Sequence, residues 1–213
     1  MRSVFVLALL IGTLAYASDH DYTERSESTF PLTANARIVL RSEVGDIRIH
    51  ASDRHDVRLV TIKRYRTSDD SEGRARVKEL HVNTSLSGGE LRITGEWPAR
   101  SVSSMFRGES NLQMDFELEV PRSARLQVHL NIGSIQIDGV ESDLEVDENI
   151  GDVTIEGNLH PRVVHLESDI GDVSTNLKGT LSGMVGKKFT SILDGDRSLS
   201  VKVHIGAITV RKK

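Results

Sequence analysis

The sequence predicts an all-β protein, a β-solenoid or β-roll built from stacked short strands. The first reason is that apolar residues recur at every second position through most of residues 126–177, the period of a strand with one buried face. The second reason is a repeat, because an Ile-Gly pair recurs at intervals of 18 and 20 residues, at Gly133, Gly151 and Gly171. Such a period is typical of stacked repeats, since one short unit cannot bury its apolar face alone.

Two further copies lie outside this run, around Val44-Gly45 and Ile205-Gly206. Each copy consists of two short alternating segments that meet at the glycine, where a bend or bulge needs positive φ or a close backbone approach. We therefore predict structural corners at Gly45, Gly133, Gly151, Gly171 and Gly206.

Two columns of the aligned copies separate the inside from the outside. The column two residues after glycine is wholly β-branched and aliphatic: Ile47, Ile135, Val153, Val173 and Ile208. The column four residues before glycine is polar: Arg41, His129, Asp147, Glu167 and Lys202. We predict that the first column is buried and that the second faces solvent.

The N-terminus predicts export. Residues 1–17 have the pattern of a signal peptide, with Arg2, a short apolar stretch and the cleavage motif Ala15-Tyr16-Ala17. Cleavage near Ala17 would give a periplasmic or extracellular protein, and no later segment is apolar enough to span a membrane. Residues 18–29 are polar and are expected to be disordered.

Residues 30–213 are predicted to form one β-repeat domain, with a β lead-in over 30–120 and the repeat stack over 121–213. Lead-in strands are expected at 36–41, 46–50, 57–65, 76–85, 90–94 and 113–120, with a turn-rich break at 67–73. Trp97, Met105 and Phe106 are expected to pack on the body. Strands at 188–193 and 199–205 are expected to form a hairpin around Asp194-Gly195-Asp196.

Three segments carry a family resemblance: FELEVPRSARLQVHLNIGSIQIDGV, LEVDENIGDVTIEG and VVHLESDIGDVSTNLKG. They resemble the bacterial adhesin-like family of β-strand repeat proteins, a domain of unknown function, over most of residues 30–212. The resemblance implies an exported β-solenoid or β-roll body and brings no catalytic residues. Gly133-Ser134 and Gly206-Ala207 depart from the Gly-Asp corners of that pattern.

Charge is unevenly distributed along the chain. Residues 131–175 contain 11 acidic residues and one basic residue, whereas residues 176–213 contain eight basic and two acidic residues. The acidic block would repel nucleic acid, and the basic C-terminal end is expected to mediate weak, salt-sensitive self-association or binding to an anionic surface. Asp152 and Asp172 would lie on neighbouring rungs if these stack in chain order, but aspartate after glycine is also an ordinary turn former. We predict no metal site and no cofactor.

Catalytic signatures are missing from the sequence. It contains no cysteine, no His-Glu-x-x-His motif and no phosphate-binding loop. The sequence therefore favours a non-catalytic, adhesin-like binding or scaffolding module of the bacterial cell envelope, with an envelope protein or polymer as its partner. The alternative is a β-helical glycan-active enzyme, a hydrolase or lyase that uses paired carboxylates.

Overall fold

The computed structural model of the chain describes residues 20–32, 36–67, 69–98 and 112–213. The predicted signal peptide, together with Met105 and Phe106, lies outside the described residues. In chain order the elements are β1 (His20–Pro31), β2 (Arg37–Val44), β3 (Ile47–Ser52), β4 (Asp56–Thr67), α1 (Asp70–Val77), β5 (His81–Ser87), β6 (Glu90–Glu96), β7 (Leu112–Pro121), β8 (Arg125–Asp138), β9 (Leu144–Gly157), β10 (Pro161–Ile170), β11 (Val173–Thr175), β12 (Thr180–Ser182), β13 (Lys187–Ile192), β14 (Arg197–Ile205) and β15 (Ile208–Lys212).

The all-β prediction is confirmed. The fifteen strands join through hydrogen bonds into one large mixed sheet, and α1 is the single helix in the described part of the chain. Over those same residues the sheet does not close into a barrel. None of the described helical residues forms a stretch long and apolar enough to cross a membrane.

Parallel pairing brings the five glycine-centred copies side by side. We call each copy a rung, which is a strand segment, a corner glycine and a second strand segment. β8 and β9 are complete rungs, and the other three rungs are β2–β3, β10–β11 and β14–β15. In space the order is β2–β3, β8, β9, β14–β15 and then β10–β11, with parallel pairs between neighbours on both sides of the corner.

The rungs do not stack in chain order, and the hairpin predicted around residues 194–196 is wrong. β13 pairs antiparallel with one edge of β10, while β14 pairs parallel with the other edge. The last rung is thereby inserted between the rungs of β9 and β10. The insertion places Lys202 between Asp147 and Glu167, whereas chain order would set those two carboxylates beside each other.

The expected disorder of residues 18–29 is also wrong for the described part, because residues 20–29 lie in β1. This strand pairs antiparallel with β4 along its whole length. Its sequence lacks an apolar alternation, and cross-strand ion pairs hold it instead, such as Glu27 with Arg58 at 2.7 Å and Glu24 with Lys63 at 3.2 Å. Edge strands with many charges are common in soluble sheets.

The strand expected at 76–85 begins later, because residues 70–77 form α1. Asp69 caps this helix by accepting hydrogen bonds from the backbone amides of Ser71 and Glu72. Acidic residues in its first turn and arginines in its last turn complement the helix dipole. The other lead-in strands lie where predicted, and β5 and β6 form an antiparallel hairpin at Gly88-Gly89.

The two predicted columns have the expected burial. Ile47, Ile135, Val153 and Ile208 are at most 1% exposed, and Val173 is 6% exposed. The column of Arg41, His129, Asp147, Lys202 and Glu167 is exposed or half-buried. Trp97 is partly buried against the same core. The buried faces of both strand segments therefore share one apolar core.

Candidate functional site

The five predicted corner glycines lie in one line across the rungs, in the order Gly45, Gly133, Gly151, Gly206, Gly171. Their φ angles lie between 135° and 151°, a region that favours glycine. A Cβ at Gly151 would overlap the carbonyl oxygen of Gly133. The same overlap recurs at Gly133, Gly206 and Gly171, because the carbonyl oxygen of the preceding glycine in the row lies where a Cβ would be. The corner thus depends on backbone packing that a larger residue would break.

The residues after these glycines form an alternating row of acidic and small side chains. Across the rungs the row reads Asp46, Ser134, Asp152, Ala207, Asp172. The carboxylate of Asp46 accepts a hydrogen bond from the amide of Ser134 at 3.1 Å, and that of Asp152 accepts from the amide of Ala207 at 2.8 Å. The departures from Gly-Asp therefore fall at the rungs that separate the aspartates.

The residues before these glycines form a row of half-exposed aliphatic side chains, which we call the isoleucine ridge. It contains Ile132, Ile150, Ile205 and Ile170, and Val44 continues it at one end. The four isoleucines are 43%, 46%, 46% and 57% exposed, in that order. Stacked at the spacing of parallel strands, they form a continuous apolar stripe on the surface.

The phase of the repeat explains why these isoleucines face outward. Buried columns lie three residues before and two residues after each glycine, as at Leu130 and Ile135 in β8. These columns are five residues apart, an odd number, so the alternation must change phase at the corner. The bend at the glycine makes this change of phase possible, and as a result Ile132 lies outside the core.

The outward row four residues before the glycines is polar, and it alternates in charge from Asp147 onward. It reads Arg41, His129, Asp147, Lys202, Glu167, and β13 extends it with Lys188. His129 lies 3.4 Å from Asp147, and Lys188 lies 3.7 Å from Glu167. This row is a solvated polar ladder of opposite charges, each pair of which stabilises modestly.

Glu148 lies beneath the corner in the buried column three residues before Gly151. It is fully buried, and neither carboxyl oxygen has a hydrogen-bond partner among the described residues. Burial, together with the smaller effects of the nearby charges of Asp152 and Asp46, raises the pKa of Glu148 to about 8. The side chain is therefore protonated at neutral pH.

A second buried carboxyl, Asp115 on β7, supports the other face of the corner. It accepts a hydrogen bond from the amide of Asp46 at 2.9 Å and forms an ion pair with Arg64. Burial raises the pKa of Asp115, while the hydrogen bond from Asp46 and the charge of Arg64 act in the opposite direction. Its position and contacts indicate a structural role in holding the first rung to β7.

The acidic block does not assemble a metal site in the part of the chain that the structure describes. Asp152 and Asp172, expected on neighbouring rungs, are separated by Ala207. Within the described ranges no group of three histidine, aspartate or glutamate side chains is placed to hold a metal ion.

The basic C-terminal end is not free in the way that the sequence suggests. The ammonium group of Lys213 lies 3.1 Å from Glu156 and 3.2 Å from Asp138. Lys213 therefore pairs with two acids of the neighbouring strands, whereas Arg211 and Lys212 are exposed, so the C-terminal end is less basic than the sequence suggests.

A surface depression of about 420 Å³ lies away from the corner, between the ends of β3 and β7. Its charged residues are paired, since Arg122 donates to Asp53 at 2.9 Å and Arg54 donates to Asp56 at 2.7 Å. The hydrogen bond from Arg54 lowers the pKa of Asp56. That direction is opposite to the one that a general acid in glycan cleavage needs.

Comparisons with known proteins give structural neighbours only. No protein-family model and no curated protein matches the chain. A Clostridium sporogenes structure provisionally named a cell adhesion protein is 14% identical, with a TM-score of 0.49, and covers 89% of this chain and 100% of its own. A provisionally named adhesin of Bacteroides fragilis is 10% identical, with a TM-score of 0.29, over 88% of this chain and 97% of its own.

A Parabacteroides distasonis structure provisionally named a lipid-binding protein is 9% identical, with a TM-score of 0.27, over 89% of this chain and 97% of its own. At these identities and scores the neighbours carry no argument about this chain. The adhesin-like family therefore enters only the proposal below.

Proposed function

We propose that the chain is a non-catalytic, exported binding or scaffolding module of the bacterial cell envelope, of the adhesin-like kind, and that the isoleucine ridge is its binding surface. The single observation that carries the proposal is the ridge, with Ile132, Ile150, Ile205 and Ile170 between 43% and 57% exposed in one continuous row. Contiguous exposed apolar surface on a soluble protein marks an interaction site.

The proposal includes a β-solenoid body for residues 30–213, joined by β1, and export through residues 1–17 to the periplasm or the cell exterior. The parallel, in-register rungs support the first part, because each buries its apolar column against its neighbours. The signal pattern supports the second. N-terminal sequencing of the secreted protein tests export, and a chain that begins at Ser18 is the expected result.

The positions of the carboxyls with raised pKa support a binding role over glycan cleavage. A glycan-active enzyme needs an accessible carboxylic acid whose pKa is raised, facing a second carboxylate. Glu148 and Asp115 are the described carboxyls with raised pKa values, and they are 0% and 1% exposed. Neither can contact a polymer from solution in this fold.

The proposal is tested by binding to isolated bacterial envelopes. The mature protein should sediment with the envelope fraction, and the double variant Ile150→Thr/Ile205→Thr should remain in the supernatant. Ile192→Thr is the matched control, because Ile192 is 85% exposed on β13, away from the ridge. Equal sedimentation of all three proteins would refute the ridge as the binding surface, and glycan turnover by the wild type would refute the non-catalytic role.

A further inference from the structure

The isoleucine ridge is bordered by acidic positions on both sides. The positions directly before it hold Glu43, Asn131, Asn149, His204 and Asp169, and those after the glycines hold Asp46, Ser134, Asp152, Ala207 and Asp172. Half of these ten positions are acidic, and none holds lysine or arginine. Asp46 pairs with Arg48 at 3.5 Å and Asp169 with His204 at 2.6 Å.

Asp152 and Asp172 keep an uncompensated charge beside the ridge. Among the described residues neither forms an ion pair, and the carboxylate of Asp152 accepts only a backbone amide of the next rung. Exposed carboxylates next to an apolar stripe are complementary to a segment that combines apolar and basic side chains. The same acids disfavour contact with an anionic lipid surface.

The spacing of the ridge matches one kind of secondary structure. Neighbouring parallel strands lie about 4.8 Å apart, so the five ridge positions span about 19 Å. An α-helix presents its apolar face once per turn, about every 5.4 Å, which is near the rung spacing, and about 13 residues cover the full length. Alternate residues of an extended strand are about 6.6 Å apart and would lose register along the ridge.

Resting on the proposed function, we infer that the isoleucine ridge is a docking surface for a basic amphipathic helix of about 13 residues from another polypeptide. The apolar face of the helix lies along Ile132, Ile150 and Ile205, and its lysine or arginine side chains lie beside Asp152 and Asp172. Apolar burial supplies the attraction, and the acidic borders select a cationic partner and fix its position.

The test is calorimetric titration of the mature protein with a synthetic helix of about 14 residues, made of leucine and lysine with leucine at helical spacing. One control peptide has glutamate in place of lysine. A second has the same composition with strictly alternating leucine, which favours a strand. The leucine–lysine helix should bind at least about tenfold more tightly than either control, and equal binding by either control would overturn the inference.

Variants of the protein locate the contact. Ile150→Thr should weaken the binding of the leucine–lysine helix about tenfold, whereas Ile192→Thr should leave it unchanged. Threonine keeps β-branching, so the strand conformation is retained, and thermal unfolding of each variant checks this. Asp152→Asn with Asp172→Asn should weaken binding and reduce its salt dependence. Similar losses for Ile150→Thr and Ile192→Thr would contradict the assignment.

Two results separate the failure of this inference from failure of the proposed function. If the envelope association depends on the ridge but the leucine–lysine helix does not bind, the chemistry of the partner is wrong and the binding module stands. If ridge variants leave the envelope association unchanged, the proposed function itself is wrong. Sedimentation of the free protein tests whether a second copy of this chain covers the ridge. A dimer that Ile150→Thr abolishes would show that it does, and would overturn the inference of a helical partner.

Discussion

Replacement of Glu148 by glutamine should make the protein more stable in mild alkali. The unfolded chain ionises this carboxyl near its ordinary pKa of 4.5, whereas the folded chain holds its pKa at about 8. Between these values the folded state binds more protons than the unfolded state, so the stability contributed by the protonated form decreases as the pH rises. The contribution is full below pH 4.5 and is lost by the time the pH passes 8.

The magnitude follows from the separation of the two pKa values. At 1.36 kcal/mol per pKa unit, the complete loss is about 5 kcal/mol, and roughly half of it falls between about pH 6 and about pH 9. Asp152 and Asp46, the charges that face Glu148, act in the same direction because both disfavour its ionised form. A loss of this size is a large part of the stability of an ordinary domain.

The assay is urea unfolding of the wild type and of Glu148→Gln at about pH 6 and about pH 9. The difference in the free energy of unfolding between the two proteins should widen at the higher pH by roughly half of the complete loss. Glu145→Gln, an exposed carboxylate on the outer face of the same strand, is the control and should show no such widening. A difference that stays constant with pH for Glu148→Gln would refute a buried, protonated Glu148.

Four further predictions concern the corner and the rows beside it. Gly151→Ala should lower the free energy of unfolding by more than about 1–2 kcal/mol, because positive φ and the overlap with the neighbouring carbonyl both oppose a Cβ. Asp152→Asn keeps a side-chain oxygen that can accept the hydrogen bond. It should change the free energy of unfolding by less than about 0.5 kcal/mol in the same urea titration. Val153→Asp should abolish the folded circular-dichroism spectrum, because a buried charge costs several kcal/mol, and a wild-type melting curve would contradict the buried column. Lys202→Glu should have a free energy of unfolding roughly 0.5–2 kcal/mol lower than that of Lys202→Gln, because it places three acidic side chains next to one another in the outward row. Equal stabilities of the two variants would show that the charges of this row contribute nothing.

The sequence was sufficient to predict the strands and the inward faces of the rungs. Both depend on alternation over short distances, and the columns at Ile135 and Val153 are buried as the pattern requires. The isoleucine ridge was missed because Ile132 and Ile150 look like further members of that alternation. β1 was missed for a different reason, since cross-strand ion pairs hold it to β4 and its own sequence contains no apolar period.

The buried Glu148 shows a limit of pattern analysis at single residues. Its neighbours in the buried row are Leu130 and Val203, so the strand alternation marks the position as internal. The sequence alone could not show that a carboxyl there has no partner, because the identity of the neighbouring rung decides what lies beside it. That identity depends on a connection through β12 and β13 that carries no repeat signal.

The order of the rungs nonetheless has a counterpart in the sequence, in residues that depart from the repeat. Chain order would place Asp152 beside Asp172 in the row after the glycines, and Asp147 beside Glu167 in the outward row. Like charges directly opposite each other destabilise a sheet, and the penalty would apply twice at the same step. Inserting the last rung there places Ala207 between the first pair and Lys202 between the second. The observed order thus avoids two like-charge contacts that the sequential order would create at one step, and Ala207 and Lys202 favour it over the sequential order.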